Sequence, residues 1–386
     1  MAIPDNNLSA FTDTDVLVIG AGIAGCIAAI SLADQYRIIL IDKLAEPVDR
    51  IGESLTPAAR RILQQLDLMD DLHLETERPL CIQNPGMQSY WGSDRVRFVD
   101  HLYNPDGCVL NLNRKAFESF LRIKALERGV QGVWPVGYYS SSYDKSRWEV
   151  ILKSNSISLK VKTHRIRARY VVDATGRQAR FARSQGIRRD HFDALISCWA
   201  SLPDGPENRM STISAGEKGW WYSAPVPNSR RVIAYQTDPD LIDRRIYVDK
   251  QYFVSIAEGN SEMNNFVSQS SGPLVYHGNV SANSTRLRKV VGKQWVALGD
   301  AAMSFDPLSS QGMFHAMASA MQFRDLINQY DVVANPAAQN MEQLRRQYTH
   351  QMDQIWYHYR HHHRLYYRSE RRWREHPFWK RRHGEY

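Results

Sequence analysis

The chain has little cysteine and no long apolar run. Its four cysteines, Cys26, Cys81, Cys108 and Cys198, are scattered and form no CxxC pair. This spacing argues against a zinc site, a redox dithiol or a disulfide framework, and it favours a reducing compartment. No apolar run approaches the length of a membrane span, and no basic-then-apolar signal pattern opens the sequence. We therefore expect a cytoplasmic protein with no membrane span and no metal.

The positive charge is concentrated in one segment. The net charge is +8, and residues 357–386 hold nine Arg or Lys against three Glu, which places +6 there. The rest of the chain is close to neutral. Arginines interleaved with Tyr and Trp can indicate nucleic-acid binding, but a near-neutral body gives that function little support, and we expect none.

The basic segment 357–386 leaves three other interpretations open. His358, His361, His362 and His363 suggest a metal site, but no carboxylate or cysteine lies close by and neighbouring arginines oppose a cation. A helical extension packed on the body, with a charged outer face, is the first choice. A surface for an acidic protein partner is the second.

A glycine-rich turn near the start predicts a dinucleotide site. An apolar strand over 16–19 leads into Gly20, Gly22 and Gly25 with GxGxxG spacing, and a helix is expected over 23–33. Gly20 permits the turn, Gly22 lets the backbone approach a pyrophosphate, and Gly25 lets helix and strand pack closely. The pyrophosphate would lie on the free N–H groups of the helix.

Four further positions complete this pattern. A second apolar strand, 38–41, ends in Asp42, whose carboxylate can accept hydrogen bonds from ribose hydroxyls. The segments 173–176 and 299–300 follow other short buried strands, and Arg114 begins a helix. Together they are far more specific than the glycine turn alone.

In this order the segments resemble the FAD-binding domain of the aromatic-hydroxylase and glutathione-reductase-type superfamily. The resemblance implies a bound FAD, with Asp300 on a ribityl hydroxyl and Arg114 near the pyrophosphate. It also implies that the backbone of Gln311, Gly312 and Met313 opens a helix at the flavin's pyrimidine edge and stabilises negative charge there. With only one fingerprint present, NAD(P)H or reduced flavin must arrive from outside.

The expected FAD contacts are spread along the chain. They are Gly20, Gly22, Ala24, Gly25, Asp42, Lys43, Arg50, Ser54, Arg114, Asp300, Pro307, Gln311, Gly312 and Met313. No side chain is identified as a catalytic base, because His315 is read as a packing residue of the helix.

The fold predicted is α/β, with a glutathione-reductase-type FAD-binding Rossmann domain, an inserted antiparallel β-sheet substrate domain and a helical C-terminal extension. Helices are expected at 57–74 and 111–128. The predicted boundaries are 1–77, 111–180 and 285–330 for the FAD-binding domain, 78–110 and 181–284 for the sheet, and 331–386 for the basic extension.

The segment Arg50–Pro57 contains Gly-Glu-Ser and resembles the segment that lines the flavin in flavin-dependent tryptophan halogenases and their non-halogenating relatives. Those halogenases carry a lysine soon after it, whereas no lysine occurs here between Lys43 and Lys115. Ser309 stands where tryptophan-specific members have a glutamate. We therefore expect a flavoprotein that does not halogenate.

The segment Gly219–Pro225 and the Arg- and Trp-rich tail resemble the modifying flavoproteins of tryptophylquinone-dependent glycine and lysine oxidases. This resemblance implies an FAD-dependent monooxygenase that uses reduced flavin and O2 to hydroxylate a tryptophan of a precursor protein. Two alternatives stay open: a monooxygenase of small aromatic natural products, and a non-catalytic flavin-binding assembly partner.

Four aromatic side chains are candidates for the walls of the substrate cavity. Each is equally well explained as a core residue of a β-sheet. They are Trp91, Trp220, Trp221 and Tyr222.

Overall fold

The computed structural model describes residues 11–74, 79–102, 104–154, 163–203 and 208–384. Its helices are α1 Ile23–Leu32, α2 Pro57–Gln65, α3 Met69–Leu74, α4 Arg114–Glu127, α5 Arg180–Ser184, α6 Lys250–Glu258, α7 Ser261–Ser268, α8 Gly312–Tyr330, α9 Ala338–Ser369 and α10 Pro377–His383. Its strands are β1 Thr12–Ile19, β2 Ile38–Ile41, β3 Ser54–Leu55, β4 Cys81–Asn84, β5 Gly86–Tyr90, β6 Arg97–Asp100, β7 Val109–Leu112, β8 Gln131–Val133, β9 Val136–Asp144, β10 Arg147–Ser154, β11 Thr163–Asp173, β12 Arg189–His191, β13 Ile196–Pro203, β14 Ser211–Gly216, β15 Gly219–Val226, β16 Arg230–Thr237, β17 Val275–Ser281, β18 Thr285–Leu287, β19 Val291–Gly292, β20 Trp295–Ala297 and β21 Met303–Ser304.

The first large sheet is built around β1. Its strand order is β19-β20-β11-β1-β2-β8, with the antiparallel pair β9–β10 attached to β11. The strands from β20 to β8 run parallel to one another. The apolar runs of β1 and β2 are buried because helices cover the sheet, as a parallel sheet requires. This confirms the predicted Rossmann-type α/β domain.

Two glycines of the first turn are needed for packing. Gly20 has a φ of +108°, and a Cβ on it would lie 2.3 Å from the carbonyl oxygen of Ala174. A Cβ on Gly25 would lie 1.8 Å from the carbonyl oxygen of Gly20. Any side chain at either position would therefore push α1 away from β1 and β11.

The second large sheet has the strand order β17-β13-β16-β15-β14-β5-β6. Its pairs are antiparallel except for β14 and β5, which run parallel. The inserted antiparallel sheet is thus confirmed, with one parallel pair that the pattern did not predict. One face is covered by α6 and α7, and the other faces the glycine-turn domain and the C-terminal helices.

Two expected helices differ in detail. The helix expected over 57–74 is divided into α2 and α3, because Asp67 adopts a left-handed backbone with φ +55°. The helix expected from residue 111 begins at Arg114, where the Asn113 side chain accepts the Ala116 amide as an N-cap. The residues before it form β7.

The basic segment is mostly helical and packed. One face of α9 is buried along its length, at Met341, Leu344, Tyr348, Met352, Trp356, Tyr359, His363 and Tyr367. After a turn, α10 buries Phe378 and Trp379 against the second sheet. Asp238, at the end of β16, holds α10 through two hydrogen bonds to Arg382, at 3.0 and 2.7 Å.

Among the residues described, no three His, Cys, Asp or Glu side chains meet in a way that could hold a metal ion. The four cysteines are unpaired thiols, and three of them are buried. In the same part of the chain, no helix combines the length and apolar character needed to cross a bilayer.

We predict that Asp238→Asn destabilises the protein by about 3–5 kcal/mol, because it leaves the buried Arg382 guanidinium without its partner charge. Both side chains of this pair are at most 3% exposed. The control is Asp240→Asn, which removes one of the two carboxylate partners of Arg381 at a position 58% exposed and should cost under about 1 kcal/mol. Denaturant unfolding followed by tryptophan fluorescence measures both, and equal losses would contradict the role of the buried pair.

Candidate functional site

Gly22 differs from the other two glycines of the turn. It is the N-terminal cap of α1, and a Cβ placed on it would meet no atom within 4 Å. The first N–H groups of α1 have no carbonyl partner within the helix. Open space beside unpaired amides at a positive helix end fits a bound pyrophosphate.

Asp42, at the end of β2, is fixed by three donors. Its carboxylate accepts the Ala21 amide and the Leu44 amide, each at 2.8 Å, and lies 3.2 Å from the guanidinium of Arg122. Arg122 also donates to the carbonyl oxygens of Ala21, Leu44 and Ala45. This buried arginine of α4 thus supports both loops at the strand ends. Sequence reasoning missed it, because nothing marks an arginine in a helix as a loop support. Lys43 follows Asp42 on the surface.

Arg114, the first residue of α4, holds the loop before Ser54. Its guanidinium donates to the carbonyl oxygen of Gly52 at 2.7 Å and pairs with Glu118 at 2.6 Å. Arg50, which is 44% exposed, lies 3.9 Å from the same glutamate. The two predicted arginines therefore meet at one buried carboxylate beside the Gly-Glu-Ser loop.

Glu53 lies under that loop, between the two domains. Its side chain is 2% exposed, and the Gly52 amide donates to it at 3.0 Å. Burial raises the pKa of the Glu53 carboxyl, and hydrogen bonds from Gly52 and from the Tyr222 hydroxyl offset part of this rise. Ser54 follows in β3, paired with Asn111. The loop thus lies close to Tyr222 of the second sheet.

The turn at Gly299 brings α1 and α8 together. A Cβ on Gly299 would lie 3.1 Å from Cβ of Ala24, so Ala24 serves this contact. Asp300 is 39% exposed, with Arg177 3.7 Å away. Arg189 donates to the carbonyl oxygens of Asp300 and Ala301, and burial lowers its pKa to about 10. Arg189 is a second support, half-buried, that the sequence did not indicate.

The start of α8 is open to solvent. Pro307, Gln311 and Gly312 are exposed, and Met313 is buried. A Cβ on Gly312 would meet nothing within 4 Å. One turn later, His315 is buried against Phe305, and burial lowers its pKa to about 4, so it is neutral near pH 7.

Asp306, just before this open segment, is held by α9. Its carboxylate accepts hydrogen bonds from the Leu308 amide at 2.9 Å, the Tyr367 hydroxyl at 2.8 Å and the His363 Nε2 at 3.1 Å. Its own amide donates to the Tyr359 hydroxyl. Burial raises the pKa of Asp306, but the contacts with His363 and Leu308 outweigh burial and hold the pKa below its ordinary value. His363 is therefore part of this contact, while His358, His361 and His362 are exposed.

Trp91 and Trp220 meet in an aromatic cluster with the C-terminal helices. The Trp91 ring lies 6.2 Å from Trp220, 5.8 Å from Tyr367 and 5.3 Å from Trp379. Trp220 is 1% exposed, and its Nε1 donates to the Tyr367 hydroxyl at 3.0 Å. In this arrangement the two tryptophans pack α9 and α10 onto the sheet.

Trp221 and Tyr222 point to opposite faces of β15, because successive side chains of a strand alternate. Trp221 stacks on Tyr235 at 4.6 Å beneath Phe253 of α6 and is 3% exposed. It is therefore not part of the same wall as Tyr222. Of the four aromatic candidates, Tyr222 is the one that reaches Glu53 of the Gly-Glu-Ser loop.

Comparisons with known proteins place this geometry in a family. The FAD-dependent oxidoreductase LodB of Marinomonas mediterranea, described as putative, is 27% identical over 386 residues, covering 96% of this chain and 97% of that protein. A 1H-pyrrole-2-carbonyl-[peptidyl-carrier protein] brominase of Pseudoalteromonas luteoviolacea is 24% identical and covers 83% of this chain and 79% of that one.

Two solved structures share the fold. The peptidyl tryptophan dihydroxylase QhpG, essential for tryptophylquinone cofactor biogenesis, superposes with a TM-score of 0.75 and 21% identity, covering 96% of this chain and 79% of that one. The flavin-dependent halogenase CmlS superposes with a TM-score of 0.81 and 19% identity, covering 97% and 68%. The predicted resemblance to halogenase-like flavoproteins is confirmed, and FAD is confirmed as the cofactor. Residues 13–336 match the sequence model of the FAD binding domain family, and the chain belongs to that family.

Proposed function

We propose that this protein is an FAD-dependent monooxygenase that hydroxylates a tryptophan side chain of a precursor protein during formation of a tryptophylquinone. The observation that carries the proposal is the likeness to LodB, which runs over almost the whole of both chains. The shared fold with a peptidyl tryptophan dihydroxylase supports a tryptophan side chain of a protein as the substrate. FAD, once reduced, supplies the chemistry that activates O2 for transfer of oxygen to an electron-rich ring.

In this proposal two open glycines mark the positions of two parts of the FAD. The pyrophosphate lies at Gly22 on the N-terminus of α1, and the flavin's pyrimidine edge lies at Gly312 on the N-terminus of α8. The space beside both glycines supports this placement, because neither position needs glycine for internal packing. The amides of Gln311, Gly312 and Met313 then stabilise negative charge on the flavin. Asp42 binds ribose hydroxyls, Arg114 lies near the pyrophosphate, and Asp300 accepts a hydrogen bond from a ribityl hydroxyl. Arg122, Glu118 and Arg189, respectively, hold these three residues in place.

Hydroxylation is favoured over halogenation by the segment after Gly-Glu-Ser. This segment forms α2, which contains Arg60 and Arg61 but no lysine. Arg60 donates to the Cys108 carbonyl oxygen, and Arg61 pairs with Asp106, so both cations are engaged in holding the chain. No amine is thus available in α2 to handle an oxidised halide.

We predict that Gly22→Val weakens FAD binding at least about tenfold, since the added side chain enters the space assigned to the pyrophosphate, and its Cβ meets no protein atom within 4 Å. The control is Gly216→Val, at a glycine at the end of β14 in the second sheet whose Cβ would meet only the Gly219 carbonyl oxygen, at 3.8 Å. FAD titration of the apoproteins gives the affinities, and thermal melting checks that both variants fold. An unchanged affinity for Gly22→Val would contradict the placement.

We predict that the FAD-loaded protein, given NAD(P)H or reduced flavin and O2, adds one or two oxygen atoms to a single tryptophan of the oxidase precursor. Peptide mass spectrometry, run with and without bromide, measures the product. Bromide incorporation would contradict hydroxylation. Efficient hydroxylation of free tryptophan, with an untouched precursor, would instead indicate a small-molecule monooxygenase.

A further inference from the structure

Helix α9 has two faces of different character. Its buried face holds Asp306, whereas its C-terminal half exposes large side chains on the other side. The Tyr357 side chain is 70% exposed and the Leu365 side chain 52%. We define the outer α9 surface as the exposed residues that follow one another at helical spacing on this side, which are Tyr357, His361, Arg364, Leu365 and Arg368, together with the exposed Arg371 just after the helix.

The outer α9 surface carries one sign of charge. Between residues 354 and 371 the only acidic residue is Glu370, which is buried and paired with Arg372. The preceding acid, Asp353, pairs with Arg286. The same stretch contains four arginines, and no lysine occurs from residue 294 to 379. Residues 354–371 therefore contain no unpaired acidic side chain that could neutralise the positive charge of this surface.

The side chains here are those that protein interfaces use as anchors. Tyrosine and arginine are enriched at the energetic centres of interfaces, while lysine, aspartate and glutamate are depleted. Phe192 extends the patch: it is 43% exposed, packs on Trp356 at 4.8 Å and lies under the Arg360 guanidinium. Exposed aromatic and apolar side chains beside arginines fit a protein partner better than they fit bulk water.

We propose that the outer α9 surface is the docking site for an acidic segment of the protein that this flavoprotein modifies. The proposal rests on the proposed function, which supplies a protein substrate. Charge complementarity selects the occupant, because arginine forks bind carboxylates in pairs of hydrogen bonds while Tyr357 and Leu365 cover its apolar side chains. Tyr359, His363 and Tyr367 of the same helix hold Asp306, so the partner docks on the helix that supports the segment before α8.

The test uses the full-length, FAD-loaded protein and the purified precursor of its cognate tryptophylquinone-dependent oxidase. Arg364→Glu/Arg371→Glu reverses two exposed charges that have no role in the FAD site. Lys250→Glu/Lys289→Glu makes the same change in net charge at exposed positions elsewhere. Binding is measured by interferometry over a range of salt concentrations, and modification of the precursor gives KM and kcat.

We expect the arginine variant to weaken binding by at least about 30-fold at low salt and to raise KM with kcat kept, since paired charges at an interface set affinity and encounter rate. The lysine variant should stay near the parent, and the parent's affinity should fall as salt rises. If the arginine variant keeps both affinity and KM while the precursor is modified, the docking site is overturned and the proposed function stands. If the parent neither binds nor modifies the precursor, both fail.

Discussion

The Asp306 carboxylate accepts hydrogen bonds from the Leu308 amide, the Tyr367 hydroxyl and the His363 ring, and the rest of the site depends on this buried contact. Leu308 belongs to the segment that leads into α8, whereas Tyr367 and His363 belong to α9. The Tyr367 hydroxyl also accepts from Trp220 of the second sheet. One carboxylate therefore joins the start of α8, the C-terminal helix and the sheet. Because it is fully buried, removing any of these donors would leave a charge with no solvent to replace them.

The fold was largely predictable from local pattern. The strand–glycine–helix unit at 16–33, the acid after β2 and the strand before Asp300 each carry their signal within a few residues, and each forms as expected. The break at Asp67 was not predictable, because the apolar spacing continues through it. The face of the sheet on which Trp221 lies depends on the register of β15, and this register is known only when the neighbouring strands are known.

The glycine turns of the candidate site could be located from the sequence, whereas the side chains that support them could not. The glycines can be identified from the sequence, because few other residues can adopt the backbone of the turn that they occupy. Arg122 and Arg189 cannot be identified in this way. From sequence alone, an arginine in a helix or a short strand is expected to be a surface charge, and its carbonyl partners are known only from the structure. The contact of Asp306 with His363 spans 57 residues of sequence. The histidine run had suggested a metal, and one of its members instead holds a carboxylate of the body.

The distance in sequence between Asp306 and its α9 partners has a consequence for the order of synthesis. The glycine turn, both sheets and the start of α8 leave the ribosome before residues 359–367 exist. Until those residues emerge, the Asp306 carboxylate is a solvated acid and the segment before α8 has no anchor on that side. The nascent chain can therefore form its glycine turn early, whereas the segment before α8 is fixed only after α9 has been translated and docked.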